Sequence, residues 1–121
     1  MSNKILSAKT CTPCRGGVPP LAPDEAEALR SKNTPDWRLE DEARRVERGF
    51  AFADFRQALD FVDQVGALAE SEGHHPDIAF GWGYATISLQ TKKIMGLNEN
   101  DFIMAAKIDG VHEAAKRQNA R

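Results

Sequence analysis

The sequence predicts an α+β domain: a four-stranded antiparallel sheet with three helices on one face, in the order α-β-β-α-β-β-α. Three observations carry this expectation. Two pairs of short segments alternate apolar and polar residues with the period of a half-buried strand. A longer segment with apolar residues at helical spacing follows each pair. Between them lie a proline start, an acidic cap and a glycine stop, the punctuation of helix ends.

Near the N-terminus Gly16, Gly17, Pro19 and Pro20 interrupt any periodic pattern, so residues 1–20 are expected to be a flexible tail and residues 21–121 the domain. Pro23 is a favoured first helical residue, and Asp24 and Glu25 suit the positive end of a helix that runs to about Lys32, before Asn33-Thr34-Pro35. Trp37-Arg38-Leu39-Glu40 alternates as a short strand, and Val46 to Phe52 makes a second, with Phe50 and Phe52 on one face and a hairpin between the two. Asp54 opens the next helix as an acidic N-cap, with Gln57 three residues on, so that cap and side chain satisfy each other's backbone donors. Phe55, Leu59, Val62, Val65, Leu68 and Ala69 form a stripe expected to pack on the sheet, and Gly73 can take the left-handed conformation that stops the helix. Ile78 and Phe80 then alternate as a third strand, Gly81-Trp82-Gly83 bends the chain, and Ala85 to Thr91 forms the fourth. After Gly96, Asn98-Glu99-Asn100-Asp101 starts the last helix, striped by Met104, Ile108, Val111 and Ala115, with Lys116 to Arg121 expected to fray.

At 121 residues the chain holds one core. Its net charge of −2, with no basic run apart from acidic neighbours, leaves no electrostatic footprint for nucleic acid. No apolar segment approaches the roughly 20 residues that cross a bilayer, and Met1 to Leu6 lacks the apolar stretch of a secretory signal, so no membrane role and a cytoplasmic location are expected. A four-stranded sheet with one uncovered face has edges, which makes pairing with another subunit an expectation.

His74-His75-Pro76-Asp77 carries the chemistry. In a strand, adjacent imidazoles face opposite ways; at the mouth of a turn after a helix-ending glycine, both can converge on one ligand. Pro76 supports the turn, since it pushes His75 toward an extended conformation. Cys11-Thr12-Pro13-Cys14 has the spacing of a zinc half-site or a redox dithiol. Neither context is complete: a closed zinc site needs four ligands, and the flanking glycines and prolines do not build a helix N-terminus. The pair reads as an unpaired tail motif, and no metal is expected.

The segment Glu70-Ser71-Glu72-Gly73-His74-His75-Pro76-Asp77, then Trp82, then Gly96-Leu97-Asn98-Glu99-Asn100-Asp101-Phe102 followed by Ala105-Ala106-Lys107-Ile108-Asp109, resembles the signature of the pterin-4a-carbinolamine dehydratases. The likeness runs from about Leu21 to Val111. It implies removal of water from 4a-hydroxytetrahydropterin, the product left by aromatic amino-acid hydroxylases, to give quinonoid dihydropterin, within tetrahydropterin recycling. It also implies a pterin substrate, no cofactor, and a homodimer or homotetramer. Some family members carry a similar cysteine pair and Gly-Gly-Val-Pro-Pro segment ahead of the domain.

Carried over residue by residue, the resemblance makes His74, His75, Asp101 and Lys92 the catalytic set, with Glu70, Pro76 and Trp82 as substrate contacts. Lys92 is the departure, because the family pattern has a histidine there. The reaction delivers a proton to the departing hydroxyl and removes one from N5, work for groups that titrate near neutrality. Histidine, with an ordinary pKa of about 6.5, can do either, whereas lysine at about 10.4 is a hydrogen-bond donor and a poor base. Structural roles compete for the same residues. Asp101 stands three residues after Asn98, where a capping-box carboxylate belongs. Glu70 fits a solvated helix acid, Trp82 a turn residue and His112 a surface residue. The fold also serves as a non-catalytic scaffold, including dehydratase-like chains that assist Rubisco assembly, and relaxed demand on catalysis would permit Lys92.

Overall fold

The computed structural model describes residues 6–11 and 19–119. Its elements are α1 (Pro23–Asn33), β1 (Arg38–Glu40), β2 (Arg45–Ala51), α2 (Phe55–Glu72), β3 (Asp77–Gly81), β4 (Tyr84–Leu89) and α3 (Glu99–Asn119), which is the anticipated α-β-β-α-β-β-α order. One four-stranded sheet has the order β1-β2-β4-β3. All its pairings are antiparallel.

Strand register decides which side chains meet the helices. Val46 pairs with Leu89, Arg48 with Ile87 and Phe50 with Ala85, so the buried Val46, Phe50, Ala85, Ile87 and Leu89 share one face. The other face carries a polar lattice: Arg38 pairs with Glu47 at 3.0 Å, and Arg45 reaches Ser88 Oγ at 2.8 Å and Asp77 at 3.2 Å.

In α2 the expected cap is present, with a shift of one residue in its second half. Gln57 N–H donates to Asp54 Oδ1 at 2.9 Å, while Gln57 Oε1 accepts from the amide of Ala53 at 3.2 Å instead of that of Asp54. Gly73 ends the helix at φ +67°, a conformation that costs a side-chain-bearing residue about 1 kcal/mol. Its N–H and that of His74 both return to the Ala69 carbonyl, at 2.9 and 3.3 Å, which sets the direction in which the histidine pair leaves the helix.

Part of the expected α2 stripe faces the core, with Val65 and Ala69 buried and Val62 and Leu68 packed against it, but the centre of the face is shifted. Ala58, Phe61, Val65 and Ala69 are buried, whereas Phe55 is exposed and packs its ring 5.7 Å from Phe80, and Leu59 and Val62 line a groove beside β3. The helix is apolar over more than one face: the face centred on Phe61 is buried over the middle of the sheet, where Phe50 lies 4.8 Å away, and the neighbouring face meets the edge strand β3 only in part. Each such fully buried aromatic stabilises the fold by roughly 1.5–3 kcal/mol.

Strand ends also move. β1 starts at Arg38 because Trp37 is drawn into the core, its Nε1–H donating to Asp109 Oδ1 at 2.8 Å; Arg48 contacts the same oxygen at 2.6 Å. β4 stops at Leu89, not Thr91. Thr91 instead forms an isolated bridge with Gly96, and Lys92–Ile94 makes a 3-10 turn. A Cβ on Gly96 would come within 2.5 Å of Pro20, so the close crossing of these two segments requires glycine.

His112 is not a surface residue. It is 8% exposed and sits among Phe50, Phe52 and Phe61, with ring centroids 4.8, 5.8 and 5.9 Å away. Within the stretch read as a tail, Leu6–Ala8 forms a 3-10 turn and Leu6 is buried in the core cluster. Cys14 and the expected fraying at Ala120 and Arg121 lie outside the described residues.

Candidate active site

A cleft of about 540 Å³ opens where the C-terminus of α2, the turn after β4 and the N-terminus of α3 meet. His74, His75, Thr91 and Lys92 line it, together with Cys11, Glu72 and Asn100. The order of elements explains the convergence, since Gly73 releases the histidines beside the strand that pairs with β4, and β4 runs directly to Thr91 and Lys92.

Behind His74 lies Asp101, fully buried in the first turn of α3. Its Oδ1 is 2.7 Å from His74 Nε2. Its Oδ2 accepts from Thr91 O–H at 2.7 Å and from the Asn98 amide at 3.0 Å. The capping role and the histidine contact therefore coexist, one on each oxygen. With Oδ2 occupied by two donors, the carboxylate form of Asp101 has Oδ1 left to accept Nε2–H, an arrangement in which the His74 lone pair is on Nδ1. The His74 side chain is 13% exposed, so it meets the cleft from a shielded position.

His75 is held differently. Its Nε2 lies 2.5 Å from Glu70 Oε2, and both side chains are open to solvent, 58% and 79% exposed. Glu70 and Pro76 do not line the cleft; they belong to an adjoining groove of about 590 Å³ between α2 and β3, which His75 borders as well. Lys92 stands at the cleft mouth, exposed, with Nζ 3.4 Å from Asp77 Oδ1. Trp82 is not brought to this place. It is 71% exposed at the far end of the β3–β4 hairpin, about 17 Å along a five-residue strand from the histidines.

Thr91 was not among the residues singled out beforehand, although strand parity places it on the core side with Ile87 and Leu89, where a hydroxyl needs a buried partner. Cys11 and Glu72 were also missed as wall residues. Burial, reinforced by the charge of Glu72, pushes the Cys11 thiol up to about 12. The bond from the Cys11 amide holds the Glu72 carboxyl below its usual range. Among the described residues, no group of three or more His, Cys, Asp or Glu is placed to hold a metal ion.

An α+β fold thus brings together a histidine bonded to a buried carboxylate, a second imidazole and a lysine around a cleft of small-molecule size, groups whose chemistry is proton transfer and hydrogen bonding. The chain belongs to the pterin 4 alpha carbinolamine dehydratase family, whose family model matches residues 19–111. It is 63% identical over 107 residues to a provisionally named pterin-4-alpha-carbinolamine dehydratase 1 of Cupriavidus pinatubonensis, covering 88% of this chain and 90% of that one. A provisionally named dehydratase of Methylococcus capsulatus is 58% identical over 104 residues, covering 86% and 90%. Among solved structures, a transcriptional coactivator/pterin dehydratase from Brucella melitensis superposes with a TM-score of 0.70 at 27% identity, over 76% of this chain and 97% of that chain. A pterin dehydratase-like protein described as a RuBisCO assembly factor in the alpha-carboxysome gives 0.55 at 31% identity, over 63% and 88%. No helix among the described residues is long and apolar enough to cross a membrane.

Proposed function

We propose that this chain is an active hydro-lyase that converts 4a-hydroxytetrahydropterin to quinonoid dihydropterin in tetrahydropterin recycling. The observation that carries the proposal is the His74–Asp101 contact at 2.7 Å beside an open cleft. Capping α3 and holding Thr91 use only Asp101 Oδ2; the bond from Oδ1 to His74 is what a base uses, since it gives both a tautomer and a counter-ion for the imidazolium that forms.

In this scheme His74 Nδ1 removes the proton from N5, and the N5–H electron pair becomes the second bond of C4a=N5. The C4a–O bond breaks with its pair on oxygen. His75, oriented by Glu70 and by the extended backbone before Pro76, delivers a proton to that oxygen, and water departs. Lys92 donates a hydrogen bond to the leaving oxygen. Solvent in the cleft carries the abstracted proton back to His75, so the cycle is neutral overall. Trp82, at the other end of the hairpin, is left out of this set. A cytoplasmic homodimer or homotetramer is part of the same proposal, and sedimentation of the purified chain measures its size.

The test is to generate 4a-hydroxytetrahydropterin in situ and follow its absorbance decay. The protein should accelerate the decay, and a His74→Ala, His75→Ala double variant should not. Decay at the spontaneous rate with the parent protein would instead favour an assembly scaffold, the reading supported by the likeness to the RuBisCO assembly factor and by Lys92 in place of histidine.

A further inference from the structure

Residues 6–11 lie across the ends of the two helices that carry the His74–Asp101 pair. Leu6 is buried against the core, Lys107 Nζ of α3 donates to the Ser7 carbonyl at 2.8 Å, and Lys9 Nζ pairs with Glu99 at 2.9 Å. Beyond these anchors the chain reaches the cleft. The Cys11 amide donates to Glu72 Oε1 at 2.8 Å, and Cys11 Sγ lies 3.7 Å from the Asn100 carbonyl. Glu72 is the last residue of α2, just ahead of Gly73 and His74, and Asn100 directly precedes Asp101. One residue of the N-terminal segment thus bonds the chain positions that flank both members of the pair.

Glu72 depends on the contact in turn. Its side chain is 12% exposed, with Lys107 Nζ 3.7 Å away as the other charge partner, and a shielded carboxylate needs such donors. Cys11 offers the cleft a sulfur that stays protonated at neutral pH, because burial and the Glu72 charge oppose the thiolate. A mostly protonated thiol reacts slowly with electrophiles and binds metal poorly, because only its small thiolate fraction does either. It is a small, polarizable surface, suited to packing against a flat heterocycle.

Resting on the dehydratase reading above, we propose that residues 6–11 are a wall of the pterin cleft, with Cys11 touching the bound ring and its bonds to Glu72 and Asn100 setting the cleft's width. The segment is then a specificity element of the site, supplied from outside the span between Leu21 and Val111 that carries the family's signature.

A Cys14→Ser variant of the full chain retains one thiol of the two, Cys11, so its modification can be read directly. The rate of its reaction with methyl methanethiosulfonate is followed by mass spectrometry, with and without saturating 7,8-dihydrobiopterin, and binding of the pterin is measured in parallel by equilibrium dialysis. Bound pterin should slow the reaction roughly tenfold or more. Binding without protection overturns the wall and leaves the dehydratase reading standing. Absence of binding overturns the dehydratase reading, and the wall with it. A Cys11→Phe variant, which fills the wall, should bind dihydrobiopterin about tenfold or more weakly, a loss of about 1.4 kcal/mol. Affinity within about twofold of the parent overturns the proposal; if this variant does not fold, the protection experiment decides alone.

Discussion

Replacing Asp101 by asparagine is the sharpest probe of the site, because it keeps the side chain's shape and removes one acceptor. The native carboxylate takes three donors: His74 Nε2–H at 2.7 Å, Thr91 O–H at 2.7 Å and the Asn98 amide at 3.0 Å. Asparagine can still accept from Thr91 and Asn98 through its one carbonyl oxygen, which turns the NH₂ toward His74. The imidazole must then accept at Nε2 and carry its proton on Nδ1, the wrong tautomer for a base facing the cleft. Positioned general bases contribute about 10²–10⁴-fold, so kcat should fall about 10²-fold or more, equivalent to about 2.7 kcal/mol in the barrier. Stability should fall less dramatically. Each of three bonds loses its charge assistance, worth about 1 kcal/mol apiece, for a total of about 2–3 kcal/mol. In a domain of this size that lowers the unfolding midpoint by roughly 10 °C. The measurement pairs the 4a-hydroxytetrahydropterin decay assay with a thermal melt, run at a temperature where the variant is folded. A folded Asp101→Asn protein with kcat within about threefold of the parent would refute the tautomer argument.

Three further outcomes follow from the same structure. Lys92→His should raise kcat by about three- to tenfold by placing a group that titrates near neutrality at the cleft mouth; because the exposed Lys92–Asp77 pair at 3.4 Å is worth little, urea unfolding should move by less than about 0.5 kcal/mol. Unchanged or lower turnover would show that Lys92 does not limit the site. Asp109→Ala leaves the Trp37 indole N–H and the half-buried Arg48 without their shared acceptor and should cost about 3 kcal/mol in urea unfolding, whereas a loss under about 1 kcal/mol would remove the clamp from the account. His112 bears on pH dependence. Burial first, then the Arg48 and Lys116 charges, hold its pKa below the ordinary 6.5, with Glu113 acting weakly the other way. The unfolded chain therefore takes up the proton first, and stability should be lost as pH falls below about 6.5 toward the lower folded value. His112→Phe should flatten that part of a stability-versus-pH curve, and an unchanged slope between about pH 6.5 and 5 would show that other groups carry it.

Elements marked by local chemistry were legible from the residues alone. Pro23, the Asp54–Gln57 cap and Gly73 place helix ends because each satisfies, or is exempt from, the backbone bonds of a single turn. Strand alternation likewise sets Ile87 and Leu89 on the opposite face from Thr86, Ser88 and Gln90 without a neighbour's help, and the structure turns that first face to the core. Misreadings arose where a residue answered to a distant partner. The face of α2 turned on Phe61 meeting Phe50, and burial of His112 turned on the same aromatic cluster, neither of which periodicity can rank against a competing apolar stripe.

The candidate site divides along the same line. The pair His74-His75 and the capping position of Asp101 are local facts, written in adjacent or near-adjacent residues. The tertiary structure alone decided that Asp101 also holds His74 through its other oxygen, that Thr91 completes that carboxylate, that Trp82 stands apart and that Cys11 lines the cleft. Backbone preferences act over one turn and can be read in order along the chain. A hydrogen bond between residues 27 positions apart exists only once packing of α2, β4 and α3 has brought their ends together.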